Sequence, residues 1–168
     1  MNDPGYIQTV IEKITGWLIS QDAHLSKSLL ICGPVGSGKT SLIKAIRLAS
    51  EHLQVKGKYW IPTMCSITCL NFVEYLKKQE DIYELLKSHE LLVFDDLGLE
   101  EPQITVYGTV IRPMERIIKQ ASDDNKSVII TTNLSKEGIR RQYDSDRMAD
   151  CLNAYAVLNM EHESFRKL

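Results

Sequence analysis

The chain has 168 residues, of which 43% are hydrophobic and 25% are charged, and its formal net charge at pH 7 is −2. This length fits a single domain over residues 1–168 that buries most of its apolar surface, and the slightly negative charge argues against strong nucleic-acid binding by a monomer. No apolar stretch approaches the roughly 20 residues that span a bilayer, and the first residues lack a secretory leader, so we expect a cytoplasmic protein without a membrane partner.

The first predicted elements are a helix and a buried strand. Asp3 is a good N-cap with Pro4 at the first helical position, and apolar residues then repeat at helical spacing as far as Leu18. After a polar link, the apolar run 28–32 is typical of a buried parallel strand. Residues 41–50 return to helical spacing, so a second helix follows closely.

Between this strand and this helix lies the P-loop, the segment 33–40 with the sequence GPVGSGKT, which fits the pattern G-x-x-x-x-G-K-[ST]. Its glycines let successive N–H groups point at a phosphate, Lys39 supplies positive charge for the β- and γ-phosphates, and the Thr40 hydroxyl is placed to bind Mg²⁺. The following helix presents its N-terminus to a polyphosphate. The sequence therefore predicts a nucleoside-triphosphate site. Its predicted binding residues are Gly33, Pro34, Val35, Gly36, Ser37, Gly38, Lys39, Thr40 and Ser41.

The middle of the chain continues the alternation of strands and helices. Residues 59–64 are predicted as a second strand, and Pro62 within them suggests an edge position or an irregularity. Helical spacing marks 68–78 and 81–87 as helices. The apolar run 91–95 is predicted as a third strand.

The last third of the chain contains one ambiguous segment. Residues 103–121 are predicted to be helical from about Val106, with Pro113 causing either a kink or a late start. The other predicted elements are a strand at 127–131, short helices at 135–141 and 145–152, and a strand at 155–160. Strands that alternate with helices indicate a parallel sheet covered on both faces.

Two carboxylates, Asp95 and Asp96, end the third predicted strand. We expect this strand to lie next to the P-loop strand, which would deliver the acids to the Mg²⁺ side of the phosphates. Asp95 would hold the metal, and Asp96 could orient and polarise the attacking water. The structural alternative is an N-cap or a solvated turn, since Gly98 follows at once.

A polar amide ends the fourth predicted strand. Asn133 follows two threonines at the carboxyl edge of the sheet, from which it could reach the γ-phosphate or the lytic water. An ordinary asparagine turn after a strand is the alternative.

The three motifs GPVGSGKT, LLVFDDLG and TTN, in this order, resemble the ATPase core of bacterial helicase loaders of the DnaC/DnaI type. The related IstB-type transposition helpers share this core within the AAA+ superfamily. The tail 163–167 is similar to the short Ser-aromatic-Arg ending of the family, so the resemblance covers about residues 6–167. It implies an α/β P-loop NTPase fold with an AAA+ core, which has a five-stranded, mainly parallel sheet, helices on both faces and no separate lid domain.

The resemblance also implies ATP and Mg²⁺ bound at subunit interfaces, with an arginine supplied in trans. Arg147 is the natural candidate for that arginine. Counting back from Arg166 instead places the position nearer Cys151, in which case the arginine is missing and turnover would be weak or need another protein. Arg140 and Arg141 could substitute or be solvated charges. Arg166 resembles a nucleotide-sensing arginine, with a surface ion pair as the alternative.

Partners are implied by the same resemblance. Family members carry an N-terminal region that grips the replicative helicase, whereas this chain begins almost directly at the ATPase core. We therefore expect either a stand-alone or shortened version, or a partner contact through another surface. Single-stranded DNA contacts are also implied; the candidates are Lys56, Lys58, Lys77 and Lys78, with Tyr59, Trp60 and Tyr75 for stacking. Solvated lysines and core aromatics are the alternatives.

The leading hypothesis is an ATP-hydrolysing replication accessory of the helicase-loader type, whose ATP state controls homo-oligomeric assembly on single-stranded DNA and the helicase. A transposition helper that loads beside a transposase is the alternative within the family. A small-molecule P-loop kinase is a third reading, but only Arg112 and Arg116 lie between the third and fourth strands, where such kinases carry arginine-rich lids. A non-hydrolysing module that binds ATP to fix its shape is the fourth.

Overall fold

The computed structural model describes residues 4–19, 28–55, 64–78, 86–144 and 146–160. Its helices are α1 (Pro4–Ile19), α2 (Lys39–Val55), α3 (Cys69–Lys77), α4 (Pro113–Asp123), α5 (Lys136–Tyr143) and α6 (Asp146–Asn153). Its strands are β1 (Leu29–Cys32), β2 (Met64–Thr68), β3 (Leu91–Leu97), β4 (Ile104–Val106), β5 (Thr109–Ile111), β6 (Ser127–Thr132) and β7 (Ala156–Asn159). Among these described helices, none is long and apolar enough to cross a membrane.

Five strands form one sheet in the order β2-β3-β6-β1-β7, and every neighbouring pair is parallel. This arrangement confirms the predicted α/β fold class, with helices on both faces of the sheet. It also places β2 at an edge, as the proline before it suggested, although Pro62 itself lies outside the described residues. The strands β4 and β5 form a separate antiparallel hairpin.

Alternation along the buried strands divides the core in two. In β1, Leu29 and Ile31 pack with Ile43 and Ile46 of α2 and with α1. Leu30, between them, faces the opposite cluster, which includes residues of α3, α4, α5 and α6. Successive side chains of a strand point to opposite faces, so a sheet covered on both sides needs the continuous apolar runs seen in the sequence.

Two of the predicted helix starts are confirmed by their caps. The Thr68 hydroxyl accepts the N–H of Asn71 at 3.1 Å at the start of α3. The Ser135 hydroxyl accepts the N–H of Gly138 at 3.1 Å at the start of α5. These bonds satisfy N–H groups that have no partner within the helix, which is why threonine and serine mark helix starts in a sequence.

Two element predictions are wrong in their boundaries. The strand expected at 59–64 overlaps β2 at Met64 alone among the described residues, and β2 continues to Thr68, where a helix was expected to begin. The helix expected from about Val106 is instead the β4–β5 hairpin, whose two-residue turn places Tyr107 and Gly108 at φ 49° and 76°. Two successive positive φ angles are the geometry of a tight hairpin turn. Helix α4 starts late, with Pro113 in its first turn, where the missing N–H costs nothing.

The predicted adjacency of the acidic strand and the P-loop strand is also wrong. Strand β6 lies between β3 and β1 and pairs with both. Its carboxyl end, at Thr132, is therefore in register with Cys32 on one side and with Leu97 on the other. The segment that follows β6 leaves the sheet between the P-loop and the two acids.

Several predictions fall outside the described residues. They concern the Asp3 N-cap, most of the helix at 81–87, and the candidate residues Lys56, Lys58, Tyr59, Trp60 and Arg166.

Candidate functional site

The P-loop leaves β1 beside the end of β7 and is shaped by its glycines. A Cβ atom on Gly33 would lie 2.6 Å from the carbonyl oxygen of Met160, so no larger residue fits there without a shift. Gly36 and Gly38 have φ of 84° and 94°, a region that L-residues with side chains rarely adopt. The loop then passes directly into α2 at Lys39. The glycine requirements inferred from the motif are thus explained by backbone geometry.

Lys39 is buried against the loop that precedes it. Its Nζ donates to the carbonyl oxygens of Gly33 and Pro34, each at 2.8 Å. Burial lowers the pKa of the Lys39 ammonium, and the negative charges of Asp96 and Asp95 oppose that effect. The ammonium therefore sits within the field of both acids, although the acids come from a strand two positions away in the sheet.

The strongest link between the motifs is a hydrogen bond across the sheet edge. The Thr40 hydroxyl donates to Oδ2 of Asp95 at 3.1 Å. The other carboxylate oxygen, Oδ1, accepts the hydroxyl of Thr131 from the intervening strand β6. Asp95 is buried, and both of its carboxylate oxygens are hydrogen-bonded, so the orientation of its side chain is fixed.

Asp96 occupies a strained turn. Its φ is 60°, in the left-handed region, and its N–H donates to Oγ1 of Thr131 at 2.9 Å. Thr131 therefore binds both acids at once, the carboxylate of the first and the backbone of the second. Non-glycine residues in this region persist where the surrounding structure holds them, and they often lie at functional sites.

Asn133 is exposed directly after β6. The Gly33 N–H donates to the carbonyl oxygen of Thr132 at 3.2 Å, which ties the residue before Asn133 to the start of the P-loop. On its other side, the Thr132 hydroxyl donates to the carbonyl oxygen of Leu97 at 2.7 Å. The structure thus brings the Asn133 backbone between the P-loop and the acids. The order of these motifs along the sequence could not determine this position.

Sequence reasoning missed the residues that hold Asp95, Asp96 and the turn after them, which we call the acidic turn. The structure adds Thr131 and Thr132 from β6, and Glu100 with Gln142 and Tyr143 from further along the chain. A signal existed for the threonines, because two hydroxyl residues ended an otherwise apolar strand. No signal existed for the other three, whose burial and contacts depend on the packing of α5 against the turn.

The arginine candidates lie on the helices that follow Asn133. Arg147 is exposed on α6, and Cys151 is half-buried one turn further along the same helix. The two alternative alignments therefore place the predicted trans position on one helix. Arg140 and Arg141 are exposed on α5. Exposure leaves Arg147 accessible to another chain.

The DNA-contact candidates that the structure describes are Lys77, Lys78 and Tyr75. Lys77 bridges Glu74 at 3.0 Å and Glu101 at 2.8 Å, so its charge is offset by two carboxylates. Lys78 and Tyr75 are exposed at the end of α3. Of the two candidate lysines that the structure describes, Lys78 is thus better suited than Lys77 to contact a nucleic-acid phosphate.

The residues present fit a nucleoside triphosphate with Mg²⁺. The glycine loop is tightly packed at Gly33 and ends at Lys39 and Thr40, whose polar groups bond the loop and Asp95. No group of three His, Cys, Asp or Glu side chains gathers within the described ranges to bind a metal alone. Mg²⁺ is commonly held by one or two carboxylates together with substrate phosphates, and Asp95 beside Thr40 matches that type of site.

Comparison with known proteins supports the fold. No protein-family model and no curated sequence matches the chain. DnaI matches in structure with a TM-score of 0.66 over 99% of this chain and 87% of DnaI, at 18% identity. The DnaC helicase loader matches with a TM-score of 0.62 over 95% of this chain and 92% of the loader, at 18% identity. AMPPCP-bound DnaA from Aquifex aeolicus matches with a TM-score of 0.64 over 96% of this chain, at 20% identity.

The matches differ in how much of each protein they involve. The chain spans about half the length of the replication initiation proteins, 48% of DnaA and 46% of a DNA replication initiation factor. At these low identities the likeness concerns the fold alone. DnaI and the DnaC helicase loader are structural neighbours of this chain. The chain has the fold of the AAA+ P-loop ATPases.

Proposed function

We propose that this chain binds ATP with Mg²⁺ at the P-loop and hydrolyses it slowly, as a replication accessory ATPase of the helicase-loader type. The observation that carries the proposal is the 3.1 Å hydrogen bond from Thr40 to Asp95, formed close to the buried ammonium of Lys39. A hydroxyl, a carboxylate and an ammonium suited to magnesium and phosphate thus meet at one edge of the sheet. The fold shared with DnaI and the DnaC helicase loader supports the replication setting.

Each residue of the site has a distinct role in this proposal. Lys39 and the inward N–H groups of the P-loop hold the β- and γ-phosphates. Thr40 and Asp95 hold Mg²⁺, which when bound neutralises charge on the transferred phosphoryl group. Asp96 orients and polarises the attacking water, and Asn133 fixes that water or the γ-phosphate from between the two motifs. The carboxylates favour the charged form of Lys39 against the cost of its burial.

The proposal includes control of assembly by nucleotide. Arg147 is exposed on α6 and would reach the site of a neighbouring copy, where an arginine stabilises charge on the transferred phosphoryl group. A chain with a net charge of −2 gains affinity for single-stranded DNA only when local basic groups such as Lys78 are aligned by assembly. Slow hydrolysis by the isolated chain follows if the arginine must come from a second copy.

The nucleotide site is tested by Lys39→Ala. A charge-assisted contact is worth about 1.5–3 kcal/mol, so the affinity for a fluorescent ATP analogue should fall by about 10- to 100-fold or more. Lys44→Ala is the matched control, because Lys44 is exposed on the same helix. Phosphate release should disappear in the first variant and persist in the second. Undiminished nucleotide affinity in Lys39→Ala would refute the site.

Assembly is tested by light scattering on a sizing column, with and without ATP–Mg²⁺ and single-stranded DNA. We expect a larger species when both are present, and less of it in Arg147→Ala. An unchanging monomer under all conditions contradicts the helicase-loader assignment and leaves only the ATPase site to be judged by the Lys39 variant.

A further inference from the structure

Glu100 is a buried carboxylate outside the nucleotide motifs. Only 4% of its surface is exposed, and the other buried charged residues within the described ranges, Lys39 and Asp95, both belong to the proposed site. Taking a carboxylate out of water is unfavourable unless its oxygens are well bonded. Glu100 lies four residues after Asp96, on the far side of the turn at Gly98.

Both oxygens of Glu100 are bonded. Oε2 accepts the N–H of Gly98 at 2.9 Å, and Oε1 accepts the hydroxyl of Tyr143 from α5. Tyr143 is itself buried, and burial together with the Glu100 charge raises the pKa of its hydroxyl. The hydroxyl therefore remains a proton donor, as a buried carboxylate requires.

The peptide at Gly98 is held by residues of the chain that follows β6. Its carbonyl oxygen accepts Nε2 of Gln142, the neighbour of Tyr143, at 2.7 Å. Its φ is 106°, and a Cβ atom there would lie 2.6 Å from Leu134, so the segment after β6 packs directly onto it. The turn closes back on the acid through the Leu99 N–H, which donates to the carbonyl oxygen of Asp96 at 3.3 Å.

We propose that Glu100 and Tyr143 form a positioning pair that holds the Asp96 turn, so that α5 governs ATP hydrolysis without contributing to nucleotide binding. The inference rests on the proposed function. Asp96 has a left-handed φ that the surrounding structure must maintain. The pair anchors Gly98, the residue just before the Leu99 N–H that closes the turn on Asp96. The hydrogen bonds of Lys39 and Thr40 go to the P-loop and to Asp95, so we expect nucleotide binding to survive loss of the pair.

Two substitutions separate the charge from the geometry. Tyr143→Phe keeps the ring and removes the hydroxyl that α5 donates to Glu100. Hydrolysis should therefore fall by about 10- to 100-fold, the scale of a small misplacement of a reacting group. Glu100→Gln should retain activity, because its amide oxygen accepts the Gly98 N–H while its NH₂ donates to the Tyr143 oxygen. Tyr107→Phe is the matched control, since Tyr107 is 80% exposed on the hairpin tip.

The readouts are chosen to exclude a general loss of structure. The affinity for a fluorescent ATP analogue should stay within about two-fold of wild type in Tyr143→Phe. Amide deuterium exchange should accelerate at residues 96–100 and stay unchanged at residues 33–40. The double variant Glu100→Gln with Tyr143→Phe should recover part of the hydrolysis lost in Tyr143→Phe, because no buried charge then lacks a donor.

The outcomes distinguish this inference from the function on which it rests. Wild-type hydrolysis and exchange in Tyr143→Phe overturn the positioning role alone. An equal fall in ATP affinity and hydrolysis also overturns it, because the pair would then support the whole site. A wild-type protein that neither binds nor hydrolyses ATP overturns the proposed function and this inference together.

Discussion

Thr131→Val is the most direct test of how the acidic turn is held. Thr131 is fully buried on β6, where its hydroxyl donates to Asp95 and accepts the N–H of Asp96 at 2.9 Å. Valine has the same β-branched outline and suits the same strand, but it has no oxygen. The substitution therefore removes two hydrogen bonds while leaving the apolar packing of the strand almost unchanged.

The expected loss follows from the two bonds. A hydrogen bond to a charged group contributes about 1.5–3 kcal/mol, and a buried donor left without its acceptor costs about 1–3 kcal/mol. Asp95 keeps its bond to Thr40, so we take a value near the lower end of the sum, about 3 kcal/mol. For a chain of this size, each kcal/mol lowers the melting temperature by about 2–4 °C, which gives about 6–12 °C.

The measurement is thermal unfolding followed by circular dichroism, together with phosphate release from ATP. Thr105→Val is the matched control, because Thr105 is exposed on β4 and the same change there should stay within about 0.5 kcal/mol. Thr131→Val should also slow hydrolysis, since both acids lose a positioning contact. A melting temperature within about 2 °C of wild type would show that the hydroxyl does not hold the turn, and the reasoning would be refuted.

Two further predictions concern the P-loop and a buried tyrosine. Gly33→Ala should reduce ATP affinity by at least about tenfold and lower the melting temperature, because its Cβ would lie 2.6 Å from the Met160 carbonyl oxygen. The control is Gly16→Ala in α1, where a Cβ would have nothing within 4 Å and should stabilise the folded protein by up to about 1 kcal/mol. Equal effects of the two substitutions would contradict the steric argument. Burial raises the pKa of Tyr155 to about 12, so the native state keeps a proton that the unfolded chain releases near pH 10, and the free energy of unfolding should fall as pH rises between these values. Urea titrations at several pH values give the slope of the free energy of unfolding against pH. Tyr155→Phe should reduce this slope by up to about 1.4 kcal/mol per pH unit, whereas Tyr107→Phe, at an exposed position, should not. Equal slopes in both variants would count against the raised pKa of Tyr155.

The elements that sequence reasoning placed well are those with strong local signals. The strand before the P-loop and the helix after it carry unambiguous periodicity, and Thr68 and Ser135 are caps that act within one turn of the chain. The hairpin at 104–111 was missed because its apolar residues also fit a helical spacing. The Tyr107-Gly108 pair at the turn favours a hairpin over a helix, because glycine tolerates the positive φ that a tight turn requires.

Local patterns in the chain predicted the chemical groups of the site: a glycine loop with Lys39 and Thr40, two acids after a strand, and an amide after another. These are local patterns, and each follows from the few residues that form it. Only the folded chain reveals that β6 separates β1 from β3, and that Thr131 bonds both acids. Strand order and buried partners depend on contacts between residues far apart in the chain, which no local spacing encodes. For the same reason no local pattern marks Glu100, whose partner Tyr143 comes from α5.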